Sequence, residues 1–122
     1  MTRDQNRAHT AYQRVIDVPA DMKKEYGGNC LRLPAMIHQN GLCQTLAFLE
    51  AKSAKYPWFS RLLNDLAAVT GLAHTGGQFA ADTRGADLGT YQRYTREALA
   101  SATYLKRYAE AVLRAEATDA KR

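Results

Sequence analysis

The sequence predicts an all-α protein: a compact single-domain bundle of about five to six helices, with a long loop before the last one. Apolar residues recur at steps of three and four through most of the 122 residues, which is the spacing of one helix face. No segment shows the alternating apolar pattern of a half-buried β-strand. With 46% hydrophobic residues, a chain of this length supports one core and not two.

The first helix is predicted in the segment before Pro19. Its apolar face consists of Ala8, Ala11, Tyr12, Val15 and Ile16. Asp4 is a suitable N-cap, because its carboxylate can accept hydrogen bonds from the free N–H groups at a helix start. Pro19 cannot continue the hydrogen-bond ladder and disfavours helical geometry at Val18, so we expect the helix to end there.

The next stretch contains residues that weaken helices. A second helix is expected from about Asp21 to Leu33, and Gly27-Gly28 should break it or leave it only partly helical. Pro34 fits the first turn of a separate short helix over residues 35–39. Asn40-Gly41 is expected to end that helix and to start the next one, because no alternating apolar pattern flanks it.

Two further helices are predicted in the middle of the chain. The first ends near Ser53, and its apolar anchors are Leu42, Leu46 and Leu49. Pro57 suits the first turn of the second helix, since proline lacks the N–H that is unpaired there. Gly71 is its natural end, because glycine readily adopts the left-handed conformation of a C-terminal cap.

The last third of the chain divides into a loop and the clearest helix. Residues 72–89 are rich in glycine and small polar residues, so we expect a long flexible loop that holds at most one helical turn. The last helix follows, with an apolar row that persists for about six turns. The row consists of Tyr91, Tyr94, Ala98, Ala102, Leu105, Ala109 and Val112. Residues 115–122 are expected to form a frayed tail.

The charge balance indicates the kind of partner. Lys and Arg total 17 against 12 Asp and Glu, which gives a formal charge of +5 and favours polyanions such as nucleic acid. Cys30 and Cys43 lie in apolar segments with no secretory segment before them, so we expect reduced, buried thiols and a cytoplasmic location. No run approaches the ~20 apolar residues of a membrane span, and no membrane partner is expected.

Basic residues line one side of the first helix and one side of the last helix. A further cluster lies at the junction of the two central helices, which we call the corner cluster. Arg93, Arg96, Arg107 and Arg114 fall within an arc of roughly 60° on the last helix. Arg3, Arg7 and Arg14 fall within roughly 40° on the first. The corner cluster is Lys52, Lys55 and Arg61. Such rows are either solvated helix faces or phosphate-binding faces. The sparse acidic residues on these arcs and the excess of arginine over lysine favour phosphate contact.

Catalytic and metal-binding patterns are missing from the sequence. His9, His38 and His74 lie on different elements, and none has a partner at ligand spacing. Gly76-Gly77 lacks the Lys-Ser/Thr of a phosphate-binding loop. Carboxylates are isolated along the chain as well. We therefore expect no enzymatic activity, no cofactor, no metal and no small-molecule substrate.

One stretch carries a family signature. The segment Asn40–Leu49, followed by Lys52, resembles the small subunit of the Cmr (type III-B) CRISPR effector complex. That family's pattern is a Pro and an Ile, then Asn-Gly-Leu, then Thr-Leu-Ala-Phe and a nearby Lys. Pro34 and Ile37 occupy the places that the pattern requires. The central motif is fairly specific to the family.

The resemblance extends over most of the chain, because residues 7–15 and 105–109 are similar to the family's first and last helices. It implies a helical bundle that is not itself a nuclease. In such complexes small subunits stack in a short filament and help to form the channel for the target strand. The implied partners are the other Cmr subunits, copies of this chain, guide RNA and target RNA.

The expected mode of RNA binding is sequence-independent contact with phosphates, while guide–target pairing reads the sequence. The expected RNA-binding residues are Arg14, Lys52, Lys55, Arg93, Arg96 and Arg107. Helical geometry selects them, and Lys52 and Arg107 also lie in the stretches that match the family. Two alternatives stay open at this point. One is a small helical DNA-binding regulator, which needs a polar recognition helix; the other is a helical adaptor whose basic faces only confer solubility.

Overall fold

The computed structural model describes residues 1–120 and is all-helical within them, which confirms the predicted fold class. Its six α-helices are α1 (Arg3–Ile16), α2 (Lys23–Asn40), α3 (Leu42–Ser53), α4 (Pro57–Thr70), α5 (Gly76–Arg84) and α6 (Leu88–Val112). Two short 3₁₀ turns, Ala20–Met22 and Ala117–Asp119, precede α2 and follow α6. Over residues 1–120, no helix is long and apolar enough to cross a membrane.

The helix ends are mostly those that local chemistry predicts. Pro57 opens α4, and Gly71 closes it in the left-handed conformation at φ 69°. Gly41 separates α2 from α3 at φ 85°, which favours glycine. Asp4 as the N-cap of α1 is wrong: Thr2 caps the helix by accepting a hydrogen bond from the Gln5 N–H at 3.0 Å. The Gln5 side chain bonds back to the Thr2 N–H, which completes a capping box.

The predicted break in α2 is wrong. One helix of 18 residues runs through Gly27-Gly28 and through Pro34. Both glycines are buried, and a Cβ on Gly28 would collide with the backbone of Asp119 and Ala120. The two glycines, which have no side chain, therefore allow the last described segment of the chain to pack directly against α2. Pro34 removes one helical hydrogen bond at a cost of about 3 kcal/mol, and the fully buried face of α2 offsets that cost.

The predicted long loop over residues 72–89 is also wrong, because α5 lies within it. Thr75 caps α5 by accepting a hydrogen bond from the Gln78 N–H at 3.1 Å. Phe79 is fully buried and packs against Tyr94, with 5.9 Å between ring centroids. Gly76 fits closely against Leu63. Tertiary packing therefore holds a segment whose own helix propensity is low.

The predicted frayed tail is corrected in part. Residues 115–120 lie along α2, and this segment, which we call the C-terminal strap, includes the turn Ala117–Asp119. Arg114 adopts φ 54°, and the Ala115 N–H donates to the Ala109 carbonyl at 3.1 Å. This arrangement ends α6 and turns the chain back. Residues 121–122 belong to the predicted tail but lie outside the described residues.

The core lies around α4, which contacts each of the other five α-helices of the described chain. α1 and α6 lie side by side and run in the same direction, since Arg3 meets Glu97 and Tyr12 meets Tyr108. Cys30 is buried and Cys43 is partly buried; both thiols are free. Burial raises the pKa of the Cys30 thiol far above its usual range, so the thiol is unreactive.

Candidate nucleic-acid interface

The exposed face of α6 carries a row of three arginines. Asp87 caps the helix by accepting a hydrogen bond from the Thr90 N–H at 2.8 Å. The opposite face buries small side chains such as Ala98 and Ala102, which lets neighbouring helices approach closely. Arg93, Arg96 and Arg107 are exposed. At 1.5 Å per residue they extend over about 21 Å. We call these three residues the α6 arginine row.

The α6 arginine row has free charges. Within residues 1–120 none of its three guanidinium groups forms an ion pair. The Arg93 guanidinium lies 5.6 Å from the centroid of the Tyr94 ring, which leaves its charge available to an anion. Arg114, the fourth residue of the predicted arc, lies beyond the end of α6. Three unpaired arginines on one side of one helix are suited to contact phosphates of one strand.

The arginines of α1 behave differently. Arg7 binds the Glu97 carboxylate at 2.7 Å, and Arg3 binds the other oxygen of the same carboxylate at 3.1 Å. Arg14 lies 3.3 Å from Asp65. The prediction of sparse acidic residues concerned the same helix arc, and the partners found here, Asp65 and Glu97, come from α4 and α6. The α1 row is therefore part of the internal ion-pair network.

Asp65 is the centre of that network. Its fully buried carboxylate accepts hydrogen bonds from the Tyr26 hydroxyl at 2.5 Å and the Arg61 Nε at 2.9 Å. Burial raises the pKa of the Asp65 carboxyl, and the Tyr26 hydrogen bond with the charges of Arg61 and Arg14 offsets part of that effect. Arg61 also donates to the Arg14 carbonyl at 2.8 Å. Arg14, Tyr26 and Arg61 thus tie α1, α2 and α4 together through Asp65.

The two predicted lysines lie at the corner between α3 and α4. The Lys52 ammonium is 5.8 Å from the Phe48 ring centroid, and the Lys55 ammonium is 5.6 Å from that of Tyr56. Tyr56 in turn stacks on Trp58 at 4.9 Å. In the part of the chain that the structure describes, neither lysine forms an ion pair. The corner is a small cationic and aromatic patch.

The structure separates Lys55 from Arg93, the first residue of the α6 arginine row. Arg93 lines a small cavity of about 130 Å³ together with Thr70, at the C-terminal end of α4. Lys55 lies just before Pro57, at the other end of α4. A helix of 14 residues is about 21 Å long. Arg93 and Lys55 therefore lie at opposite ends of α4, while Arg14 belongs to the ion-pair network.

The family motif around Gly41 has a structural explanation. Gly41 permits the tight turn from α2 to α3, and its carbonyl accepts a hydrogen bond from the Thr45 hydroxyl at 2.8 Å. The Cys43 N–H donates to the Tyr91 hydroxyl of α6 at 3.2 Å. Leu42 is buried. Because α3 buries its leucines, it does not supply the exposed polar helix that a DNA-binding regulator needs.

Some residues that shape this surface carry no signal in the sequence. Glu97 and Asp65 decide which arginines are free, and Asp4 accepts a hydrogen bond from Tyr104 at 2.6 Å. Arg7, Arg14 and Tyr104, the partners of Glu97, Asp65 and Asp4 named here, lie 90, 51 and 100 positions away along the chain. A helical pattern indicates which residues share one helix face, and it carries no information on these pairings. Among the described residues, no group of three His, Cys, Asp or Glu could hold a metal ion.

These observations define a small, basic, all-helical protein with one exposed helix of unpaired arginines. Residues 3–112 match the sequence model described as CRISPR-associated protein (Cas_Cmr5), and the chain belongs to that family. It is 37% identical over 113 residues to the "CRISPR system Cmr subunit Cmr5" of Thermus thermophilus, and the match covers 92% of this chain and 96% of that protein. The resemblance found in the sequence is confirmed.

A solved structure gives the same result for the fold. The crystal structure of a CRISPR-associated Cmr5 family protein, also from Thermus thermophilus, is similar with a TM-score of 0.86 at 37% identity. The match covers 92% of this chain and 97% of that one. Similarity over nearly the whole of both chains means that the helical bundle is the fold of the family.

Proposed function

We propose that this chain is a non-catalytic small subunit of an RNA-guided, RNA-targeting Cmr complex, and that it contacts the phosphate backbone of the target RNA. Family membership supports the place in the complex. The α6 arginine row supports the contact with RNA, and it is the observation that carries this proposal. Guide–target pairing reads the sequence, and this subunit binds the backbone whatever the bases are.

The residues contribute to this binding in different ways. Arg93, Arg96 and Arg107 are free to form charge-assisted hydrogen bonds with phosphate oxygens. Lys52 and Lys55 add a second contact at the corner between α3 and α4. Arg14 contributes least, because its guanidinium already neutralises the buried Asp65 carboxylate. Its contact with RNA stays a prediction, and its ion pair with Asp65 adds a role in stability.

Contacts with sister subunits require a different surface. Tyr12 and Ile16 lie one turn apart on α1 and are 43% and 41% exposed. Tyr108 packs against Tyr12 at 5.5 Å, and Val112 lies one turn further along α6 with 39% of its surface exposed. We call these four residues the α1–α6 apolar strip. We infer that a second copy of this chain packs on it within the stack of small subunits.

The proposal is tested in the assembled complex. The Arg96→Glu/Arg107→Glu double variant should bind complementary target RNA at least about tenfold more weakly than wild type at low salt, because two phosphate contacts become repulsive. Binding is measured by electrophoretic mobility with a labelled target. The charge-matched control is Lys23→Glu/Lys24→Glu, at the start of α2, where acidic residues suit the helix dipole.

Two results would contradict the proposal. If the Arg96/Arg107 variant assembles fully and binds the target like wild type, α6 does not face the RNA. If the Lys23/Lys24 control loses as much affinity as the arginine variant, the effect is one of net charge and not of this surface. Assembly is verified for every variant by size exclusion of the purified complex.

A further inference from the structure

A shallow cleft opens on the α6 arginine row. It has a volume of about 270 Å³ and lies between α1 and α6. Its lining residues are Asp4, Ala100, Thr103, Tyr104 and Arg107. Ala100 and Thr103 fall on the same side of α6 as Arg96 and Arg107, at helical steps of three and four. These small side chains leave space in which a strand that follows the arginines can approach the helix.

Asp4 places a carboxylate in the middle of this cationic surface. The Asp4 side chain is 66% exposed. The Tyr104 hydroxyl donates a hydrogen bond to Asp4 Oδ2 at 2.6 Å, and this bond raises the pKa of Tyr104. Arg7 is 3.5 Å from Asp4 Oδ1, but its short bond, at 2.7 Å, goes to Glu97. A carboxylate accepts up to about four hydrogen bonds, so Asp4 retains free acceptor capacity.

An acidic side chain at this position repels phosphate, and it therefore weakens backbone binding unless the strand offers it a donor. The sugar–phosphate backbone of RNA has one such donor, the ribose 2′-hydroxyl, and DNA lacks it. With a phosphate on Arg107, the neighbouring ribose comes to the mouth of the cleft. A carboxylate held by Tyr104 beside the Arg107 cation suits a backbone in which hydroxyl and phosphate groups alternate.

We propose that the Asp4 carboxylate, held by Tyr104 beside Arg107, accepts a hydrogen bond from a ribose 2′-hydroxyl of the bound strand. This inference rests on the proposed function, since it requires the strand to follow α6. It adds selectivity for RNA backbone over DNA backbone to a surface whose arginines cannot distinguish the two. Asp4 would recognise the sugar of the strand and would be indifferent to its base sequence.

The test pairs a protein variant with a chemical change in the RNA. Complementary target RNAs that each carry one 2′-deoxy nucleotide are scanned for binding to the assembled complex. In wild type, at least one position should lower affinity by about tenfold or more, the loss of one hydrogen bond to a charged group. In Asp4→Ala, 2′-deoxy substitution at that position should have no effect, because the acceptor is already absent. Tyr104→Phe keeps the Asp4 carboxylate but removes the hydroxyl that positions it. For this variant, the 2′-deoxy substitution should lower affinity by an intermediate factor.

The control is Asp17→Ala, which removes an exposed carboxylate at the other end of α1 and should retain the full 2′-deoxy penalty. If Asp4→Ala keeps the wild-type penalty at every position, Asp4 only fastens α1 to α6 and the inference is overturned. A different result would contradict the proposed function: the Arg96→Glu/Arg107→Glu variant would then bind all these targets as tightly as wild type. If the arginine variant loses affinity while no 2′-deoxy position matters in wild type, the inference is also overturned, because the surface then binds RNA without reading the ribose.

Discussion

Glu97 is the residue that separates Arg3 and Arg7 of α1 from the unpaired arginines of α6. Its carboxylate, largely buried, binds Arg3 and Arg7 and so draws both away from solution. Burial acts to raise the pKa of the Glu97 carboxyl, but the hydrogen bond and charge of Arg7, together with Arg3, outweigh it and lower the pKa. One carboxylate thus fastens α1 to α6 and leaves the α6 arginine row as the free cations.

A pH-dependent loss of stability should follow from Glu97→Gln. A carboxyl whose folded-state pKa is lowered stabilises the fold above its unfolded-state pKa of about 4.3, and this contribution is lost as pH falls through the folded-state value. At pH 7 we expect the variant to be about 1–3 kcal/mol less stable than wild type. The measurement is urea unfolding followed by circular dichroism from pH 7 down to pH 3.

The difference between the two proteins should shrink at the acid end of this range, because protonated Glu97 resembles glutamine. Glu110→Gln, an exposed position on the same helix, is the control and should change stability little at any pH. A deficit for Glu97→Gln that is equal at all pH values would mean that packing, and not charge, makes residue 97 important.

At this scale the sequence predicts local chemistry well and distant partners poorly. Pro57 and Gly71 act through their own backbone geometry, so their positions identify the ends of α4. Asp4 has a side chain suited to a cap, but Thr2 makes the capping bond and completes a capping box with the helix. Arg14 has the helical position of an RNA-binding residue, and its partner Asp65, 51 positions away, cannot be found from that position.

Among the elements, α2 and α5 show how packing overrides propensity. α6 is predictable nearly to its ends because 25 residues give the apolar period many repeats. α5 has nine residues and begins with Gly76-Gly77, so its own pattern is too short and too flexible to indicate a helix. Its order comes from buried Phe79 and from Leu63 of α4, which no local pattern reveals.

The C-terminal strap provides a test at this scale, through Gly28→Ala. The new Cβ would meet the backbone of Asp119 and Ala120, which has to move or detach. The gain in helix propensity from alanine is at most about 1 kcal/mol, and overpacking of this kind costs about 1–3 kcal/mol. We therefore expect net destabilisation by thermal and urea unfolding, with faster proteolysis of the strap.

Gly77→Ala is the matched control, because it makes the same substitution in a helix with no atom within 4 Å of the new Cβ. It should leave stability unchanged or raise it by about 0.5 kcal/mol. If Gly28→Ala is as stable as Gly77→Ala and its strap resists protease like wild type, the strap is not packed on α2 in solution.

For the whole molecule, the decisive feature is that two different surfaces share α6. The α6 arginine row is cationic and unpaired, and the α1–α6 apolar strip is partly exposed and uncharged. The same helix can therefore face a strand with one surface and a sister subunit with the other. Salt should distinguish these contacts, because it weakens phosphate binding and screens repulsion between chains of formal charge +5.

Self-association through the apolar strip should accordingly strengthen as salt rises from about 0.1 to about 0.5 M, measured by sedimentation velocity over a concentration series. Ile16→Ser/Val112→Ser should weaken it about thirtyfold, because each side chain loses roughly 1 kcal/mol of apolar burial in the contact. Leu88→Ser, which alters a 72% exposed residue at the start of α6, is the control and should associate like wild type. Equal weakening by Leu88→Ser, or a wild-type chain that stays monomeric throughout the series, would remove the strip as the surface on which copies stack.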